Sequence, residues 1–165
     1  MDSMGLLCFP CTIIADEHGG PAKDKEELDV LNAKGISTYK GIPVLKLPFG
    51  GNGAFSAGII FWGSDVGADA ESVTLLKHEY GHAVHLSQIG WESYITWVLI
   101  PSVVNYYRGV EYDDYYSQPW EYIADMLGGV ERMSGSQPYV YTPDSQTSAN
   151  EYYQTTLDYV GVYSN

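Results

Sequence analysis

Basic residues are scarce in this chain, which has 8 lysines and arginines against 21 aspartates and glutamates. The formal net charge is −13, and the few basic residues form no cluster. A surface this acidic repels the phosphate backbone of nucleic acids. We therefore expect no nucleic acid among the partners, which argues against nucleases and DNA-binding modules.

Long hydrophobic runs are also missing. The longest apolar stretch, from Tyr94 to Val104, is interrupted by Pro101, whereas a membrane-spanning helix needs about 20 consecutive apolar residues. The apolar stretch at 6–14 is short and follows Asp2 instead of a basic cluster, so the sequence predicts no ordinary secretory signal peptide. We expect neither a membrane span nor a signal peptide of the chain's own.

Cysteine is nearly absent, and the only two residues form the CxxC sequence Cys8-Phe9-Pro10-Cys11. Such a pair can be a redox centre or half of a zinc site. A structural zinc site would need a second pair of ligands, and the sequence contains no second CxxC. We interpret the two cysteines as incidental to the active site.

The pattern of apolar residues predicts a single α+β domain covering residues 1–165. A chain of this length can bury a substantial core. The expected elements are helices at 23–34, 69–90, 119–127 and 148–159, strands at 42–47 and 54–62 forming a hairpin, helical material broken near Pro101 at 91–107, and a loop at 108–118.

The most informative motif is the HExxH sequence at 78–82, within the helix expected between Asp69 and Gly90. His78 and His82 are four residues apart, so their side chains lie on the same face of the helix and can bind one metal ion. Glu79 lies between them, where it can accept a proton from a metal-activated water. This pattern predicts a zinc-dependent hydrolase.

A catalytic zinc site has three protein ligands and an open position. Glu121 is the leading candidate for the third ligand, because Glu121 and Asp125 are four residues apart in the helix expected at 119–127. One carboxylate can bind the metal while the other accepts the second N–H of a ligand histidine. The sequence therefore predicts a His2Glu site.

Other residues compete for these roles. His85 shares the helix with the two histidines, and the acidic residues Glu111, Asp113 and Asp114 follow later in the chain. Five tyrosines are candidates for stabilising an oxyanion: Tyr106, Tyr107, Tyr112, Tyr115 and Tyr116. The strand at 55–62 could pair with a peptide substrate as an edge strand, or it could only support the core.

The two motifs together resemble those of the gluzincin branch of zinc metallopeptidases, in which HExxH is followed by a helix carrying ExxxD or ExxAD. The resemblance implies a zincin-like fold, in which a small, mostly antiparallel sheet packs on the HExxH helix and further helices. It makes His78, His82 and Glu121 the Zn2+ ligands, Glu79 the general base and Asp125 the residue that orients a ligand. The implied activity is hydrolysis of peptide bonds in a protein or peptide substrate.

Residues 55–127 also resemble a metallopeptidase-like domain at the C-termini of bacterial RHS-repeat and other polymorphic toxins. The sequence at 2–6 is similar to the DPxGL sequence that closes an RHS core, with Ser3 in place of proline. This resemblance implies that residues 1–20 are the remnant of an RHS core junction. It also implies an effector carried in an RHS shell, delivered out of the producing bacterium and neutralised there by an immunity protein.

Two alternatives remain at this stage. The chain could be a catalytically idle zincin-like binding module that keeps the metal site without using Glu79 as a base. It could also be another HExxH hydrolase such as a deformylase, although that family takes its third ligand from a cysteine motif that residues 8–11 do not match. The glutamate inside HExxH favours catalysis, because a binding module has no need of a general base.

Overall fold

A computed structural model of the protein describes residues 24–48, 51, 53–130, 133–134, 137–138, 151–152 and 154. For residues 112–113, 133–134 and 137–138 it describes the backbone alone. The cysteine pair and the segment at 1–20 lie outside the described residues, as does most of the helix expected at 148–159. Within that last segment, residues 151, 152 and 154 are helical.

The described residues form an α+β structure, which confirms the expected fold class. The helices are α1 (Lys25–Asn32), α2 (Ala70–Tyr94), a π-helical segment (Ile95–Leu99), α3 (Ile100–Arg108), α4 (Tyr112–Tyr116) and α5 (Pro119–Gly128). The strands are β1 (Ile36–Tyr39), β2 (Ile42–Lys46), β3 (Ala54–Ser56), β4 (Ile60–Trp62), β5 (Met133–Ser134) and β6 (Gln137–Pro138). None of the described helices has the length and apolar character required to cross a membrane.

The main sheet has four strands in the order β1-β2-β4-β3. The pairs β1–β2 and β3–β4 are antiparallel, whereas β2 and β4 run parallel. The sheet is therefore mixed, and the expected hairpin between 42–47 and 54–62 is wrong. The segment 54–62 turns back on itself at Gly58, which has a φ of 79°, so it forms two short strands and leaves β3 at the edge.

The principal core lies between this sheet and helices α1 and α2. Its fully buried side chains include Leu31, Tyr39, Ile60, Trp62 and Leu76, and removing this apolar surface from water stabilises the fold. The hydroxyl of Tyr39 also donates a hydrogen bond of 2.6 Å to Glu27 of α1. The packing fixes α2, the helix that carries the HExxH motif, beneath the sheet.

Helix α2 begins as the sequence predicts, because the side chain of Asp69 accepts a hydrogen bond of 2.8 Å from the backbone N–H of Ser72. The helix does not end at Gly90 as expected. Gly90 has φ 76° and ψ 168°, which kinks the helix, and the chain continues as helix beyond it. The expected break near Pro101 is a change of helix type: the π-helical segment ends at Leu99 and α3 begins at Ile100, with helical backbone angles at both residues. Helix α4 also occupies part of the loop expected at 108–118.

Candidate metal centre

Helices α2 and α5 cross at unusually short range because glycine occupies the contact on both of them. A Cβ atom placed on Gly81 would lie 1.8 Å from the carbonyl oxygen of Ala124. One placed on Gly128 would lie 2.1 Å from the carbonyl oxygen of Lys77. Neither distance is possible for a real side chain, so the two glycines allow the backbones to approach closely. This crossing brings the motif at 78–82 against the ExxAD sequence of α5.

The three predicted ligands converge at the crossing. Nε2 of His78 lies 3.1 Å from Oε2 of Glu121, and Nε2 of His82 lies 3.2 Å from the same oxygen. One ligand atom from each residue falls within 4.8 Å of the other two, and this is the one such group found among the described residues. Zinc bonds of about 2.0–2.1 Å in a tetrahedron separate neighbouring ligand atoms by about 3.3 Å. The donor set and its spacing therefore fit a zinc ion.

Asp125 contacts one of the three predicted ligands. The Nδ1 atom of His78 lies 2.7 Å from Oδ1 of Asp125, and both side chains are buried. With Nδ1–H donating to this carboxylate, Nε2 of His78 is directed towards Glu121 and the ligand group. The predicted orienting role of Asp125 requires a contact of this kind.

Burial and charge shift the pKa values of the group strongly in the metal-free protein. Burial lowers the pKa of His78, but hydrogen bonds to Asp125 and Glu121 and their charges outweigh it and raise the pKa to about 9. Burial raises the pKa of Glu121, yet the charge of His82 and hydrogen bonds from both histidines hold it well below its usual range. Without a metal, a proton on His78 therefore stabilises the buried carboxylate of Glu121.

Two of the predicted ligands, His78 and His82, line a cleft of about 880 Å3. Glu79 lines this cleft beside His78 and His82, and its side chain is 5% exposed. The walls come from the edge strand β3, helix α2, the π-helical segment, α3 and α4. The predicted general base therefore faces the same space as these two predicted ligands.

The competing ligands are not part of the group. His85 is 0% exposed, and burial, followed by the charge of His82, lowers its pKa to about 3; its ring packs edge-on against Tyr94. Glu111 and Asp114 are exposed and do not join the ligand group. The side chain of Asp113 lies outside the described residues.

Two of the five candidate tyrosines contact the ligand group, Tyr115 through a hydrogen bond with Glu121 and Tyr116 through His78. The hydroxyl of Tyr115 is 2.7 Å from Oγ of Ser102, and the ring of Tyr116 packs edge-on against His78 with centroids 5.3 Å apart. Burial and the negative charge of Glu121 raise the pKa of Tyr115 above its usual range, so its hydroxyl stays protonated. Tyr106 and Tyr107 also line the cleft but are largely exposed, and the side chain of Tyr112 is not described.

Sequence reasoning did not single out Tyr94. This residue follows the kink at Gly90, is 1% exposed and lines the cleft. Its hydroxyl donates a hydrogen bond of 3.1 Å to the backbone carbonyl of Ser56 in β3. No local sequence pattern signals this contact, because it joins residues that are far apart in the chain.

No family model, curated protein or solved structure matches the chain. The assignment of a function therefore depends on the chemistry of the residues that the fold brings together at the crossing of α2 and α5.

Proposed function

We propose that this chain is a zinc-dependent peptidase of the gluzincin type that hydrolyses peptide bonds. The observation that carries the proposal is the convergence of His78, His82 and Glu121 on one buried point that opens to a cleft beside Glu79. Carboxylates and imidazoles in this number and spacing are typical of catalytic zinc sites. A divalent cation without redox chemistry suits this donor set, although other metals accept the same ligands.

The residues of the chain have separate roles in the proposed reaction. The zinc ion, when bound, supplies a Lewis acid that polarises the scissile carbonyl and lowers the pKa of water. Glu79 accepts the proton of the attacking water and passes it to the leaving amine. The Tyr115 hydroxyl lines the cleft and stays protonated, and it would donate a hydrogen bond to the oxygen that gains charge when Glu121 is engaged with the metal.

The shape of the cleft favours an extended peptide as the substrate. Strand β3 lines the cleft as an edge strand, and an edge strand can pair with the main chain of an added peptide. The expectation that residues 55–62 form one edge strand is corrected, because β4 lies between β2 and β3 in the sheet. Phe55 and Phe61, whose rings stack with centroids 4.6 Å apart, and Val98 and Leu99 give the cleft an apolar lining.

Metal analysis and proteolysis together test the proposal. Protein purified without added metal should contain about one zinc per chain, and the Glu121→Ala variant should contain almost none. The Glu79→Gln variant should retain zinc and fold but lose hydrolysis of unfolded β-casein. Glu92→Gln is the matched control, because Glu92 is an exposed glutamate on the same helix. Parental hydrolysis by Glu79→Gln would exclude the proposed mechanism.

The catalytically idle binding module is the second candidate. It shares the buried ligand group and differs in the role of Glu79. Full zinc occupancy with no hydrolysis of β-casein or of a broad peptide mixture would favour this module over the peptidase. A chain that takes up no zinc even when zinc is supplied would exclude both.

We also propose that the peptidase acts as a toxin effector of the RHS type, carried by a shell and neutralised by an immunity protein. This context depends on the resemblance of residues 55–127 and of the sequence at 2–6 to such toxins. Expression of the parent chain inside a bacterial host should then arrest growth, and expression of the Glu79→Gln variant should not. Equal growth with both chains would remove the toxin context and leave the peptidase proposal intact.

A further inference from the structure

The backbone of strand β3 presents only a short hydrogen-bonding edge to the cleft. Its antiparallel register with β4 pairs Phe55 with Phe61. Backbone bonds from Gly63 N–H to Gly53 C=O and from Ala57 N–H to Ile59 C=O flank this pair. Because hydrogen-bonded pairs alternate along an antiparallel ladder, the N–H and C=O of Phe55 point towards β4.

The backbone groups of Ala54 and Ser56 therefore point away from β4, towards the free edge. Among the described residues no strand pairs with this edge. One of its acceptors is already used, because the Tyr94 hydroxyl donates to the Ser56 carbonyl at 3.1 Å. Both side chains are buried, with 1% exposure for Tyr94 and 2% for Ser56. An added strand thus finds a donor and an acceptor at Ala54, whereas the acceptor at Ser56 already holds a hydrogen bond and belongs to a buried residue.

Tyr94, the last residue of α2, is held in this position by contacts with an earlier part of the same helix. Its ring packs edge-on against both His82 and His85, with centroids 6.2 Å apart in each case. The kink at Gly90 turns the end of α2, so that the side chain of Tyr94 lies between β3 and the part of α2 before the kink.

We propose that Tyr94 is a specificity-determining residue that ends substrate pairing at Ser56 and so sets which peptide bond reaches the metal. The inference rests on the proposed peptidase function. A peptide strand can exchange two hydrogen bonds with Ala54, whereas at Ser56 the Tyr94 hydroxyl already occupies the carbonyl and the residue is 2% exposed. With one pairing point, only bonds whose neighbouring residue can pair at Ala54 are held at the metal, and a second pairing point at Ser56 would admit others.

Mapping cleavage sites in the Tyr94→Phe variant tests the inference. With oxidised insulin B chain as the probe, the variant should cut at the parental bonds and also at bonds that the parent leaves intact. Tyr152→Phe is the matched control, because the Tyr152 hydroxyl also donates to a backbone carbonyl, that of Trp97, and Tyr152 does not line the cleft. This control should give the parental pattern of products.

A second measurement uses the unaltered protein and so does not depend on the folding of a variant. Synthetic peptides spanning the best-cleaved bond are methylated at one backbone nitrogen at a time. Outside the scissile residues, methylation at one position alone should lower kcat/KM about tenfold, as expected for one lost hydrogen bond. In Tyr94→Phe, two positions separated by two residues should become sensitive.

Each outcome has a distinct meaning. Two sensitive positions in the unaltered protein, or parental products from a folded, zinc-loaded Tyr94→Phe variant, would overturn the role of Tyr94 and leave the peptidase proposal standing. Absence of any cleavage by the zinc-loaded parent would overturn the peptidase proposal and, with it, the role of Tyr94.

Discussion

A single methyl group added at Gly81 is expected to open the metal site without altering any ligand. In Gly81→Ala, the new Cβ would lie 1.8 Å from the carbonyl oxygen of Ala124, whereas ordinary contact begins at 3.4 Å. The other close atoms are the carbonyl carbon of Ala124 at 2.7 Å and the backbone nitrogen of Gly128 at 2.9 Å. All three belong to the backbone, so no side chain can rotate to make room, and α5 must move away by about 1.6 Å at this point.

Glu121 lies one turn before Ala124 on α5 and moves with it. Its oxygen now lies 3.1 and 3.2 Å from the two histidine nitrogens, and the same displacement would bring these distances close to 5 Å. A tetrahedral zinc site requires about 3.3 Å, so we expect zinc affinity to fall by about 100-fold or more. Overpacking should also lower the free energy of unfolding by roughly 1–3 kcal/mol.

Zinc affinity is measured by competition with a chromophoric chelator, and the free energy of unfolding of the metal-free protein by urea titration. Gly53→Ala is the control, because a Cβ there meets no atom within 4 Å and its φ is not positive. Zinc affinity within threefold of the parent in a folded Gly81→Ala protein would refute the argument that this helix contact sets the ligand spacing.

Three further predictions follow from the geometry. Asp125→Asn replaces the charged acceptor of His78 by a neutral one, so zinc affinity should fall by about 10- to 100-fold in the same titration, and parental affinity would exclude the orienting role. Tyr115→Phe should lower kcat for β-casein by about 100-fold or more at unchanged zinc content; an unchanged kcat would remove Tyr115 from the mechanism. In the metal-free protein the pKa of His78 is raised from 6.5 to about 9, so its stabilising contribution is complete below about pH 6.5 and is lost as the pH rises through 9. The Tm measured in EDTA should therefore decline between pH 6.5 and 9, and a Tm that rises over this range would contradict the assignment.

The helical parts of the site could be predicted from the sequence because their signals are local. Asp69 caps α2 as expected, and the four-residue spacing of His78 with His82 and of Glu121 with Asp125 places each pair on one helix face. The three residues that the sequence indicates come together in the structure as a group that could hold a metal ion. Geometry within one helix depends on short-range periodicity, which a single sequence displays directly.

The sheet could not be predicted to the same extent, because strand pairing depends on contacts between distant residues. Strand β1 was not expected, and the parallel pairing of β2 with β4 leaves no local mark. The positive φ at Gly58 separates β3 from β4 where the apolar pattern runs on without interruption. The same limit applies to Tyr94, whose partner Ser56 is 38 positions away in the chain.

The charge of the buried group gives an independent physical reason to expect a divalent cation. Glu121 and Asp125 are 0% and 1% exposed, and burying two carboxylates is costly unless positive charge is close by. In the metal-free protein that charge comes from a proton on His78, which is the state indicated by its raised pKa. A divalent cation bound to neutral histidines would balance the two carboxylates equally well. Metal binding should therefore release protons at neutral pH, and calorimetry in buffers of different ionisation enthalpy would count them.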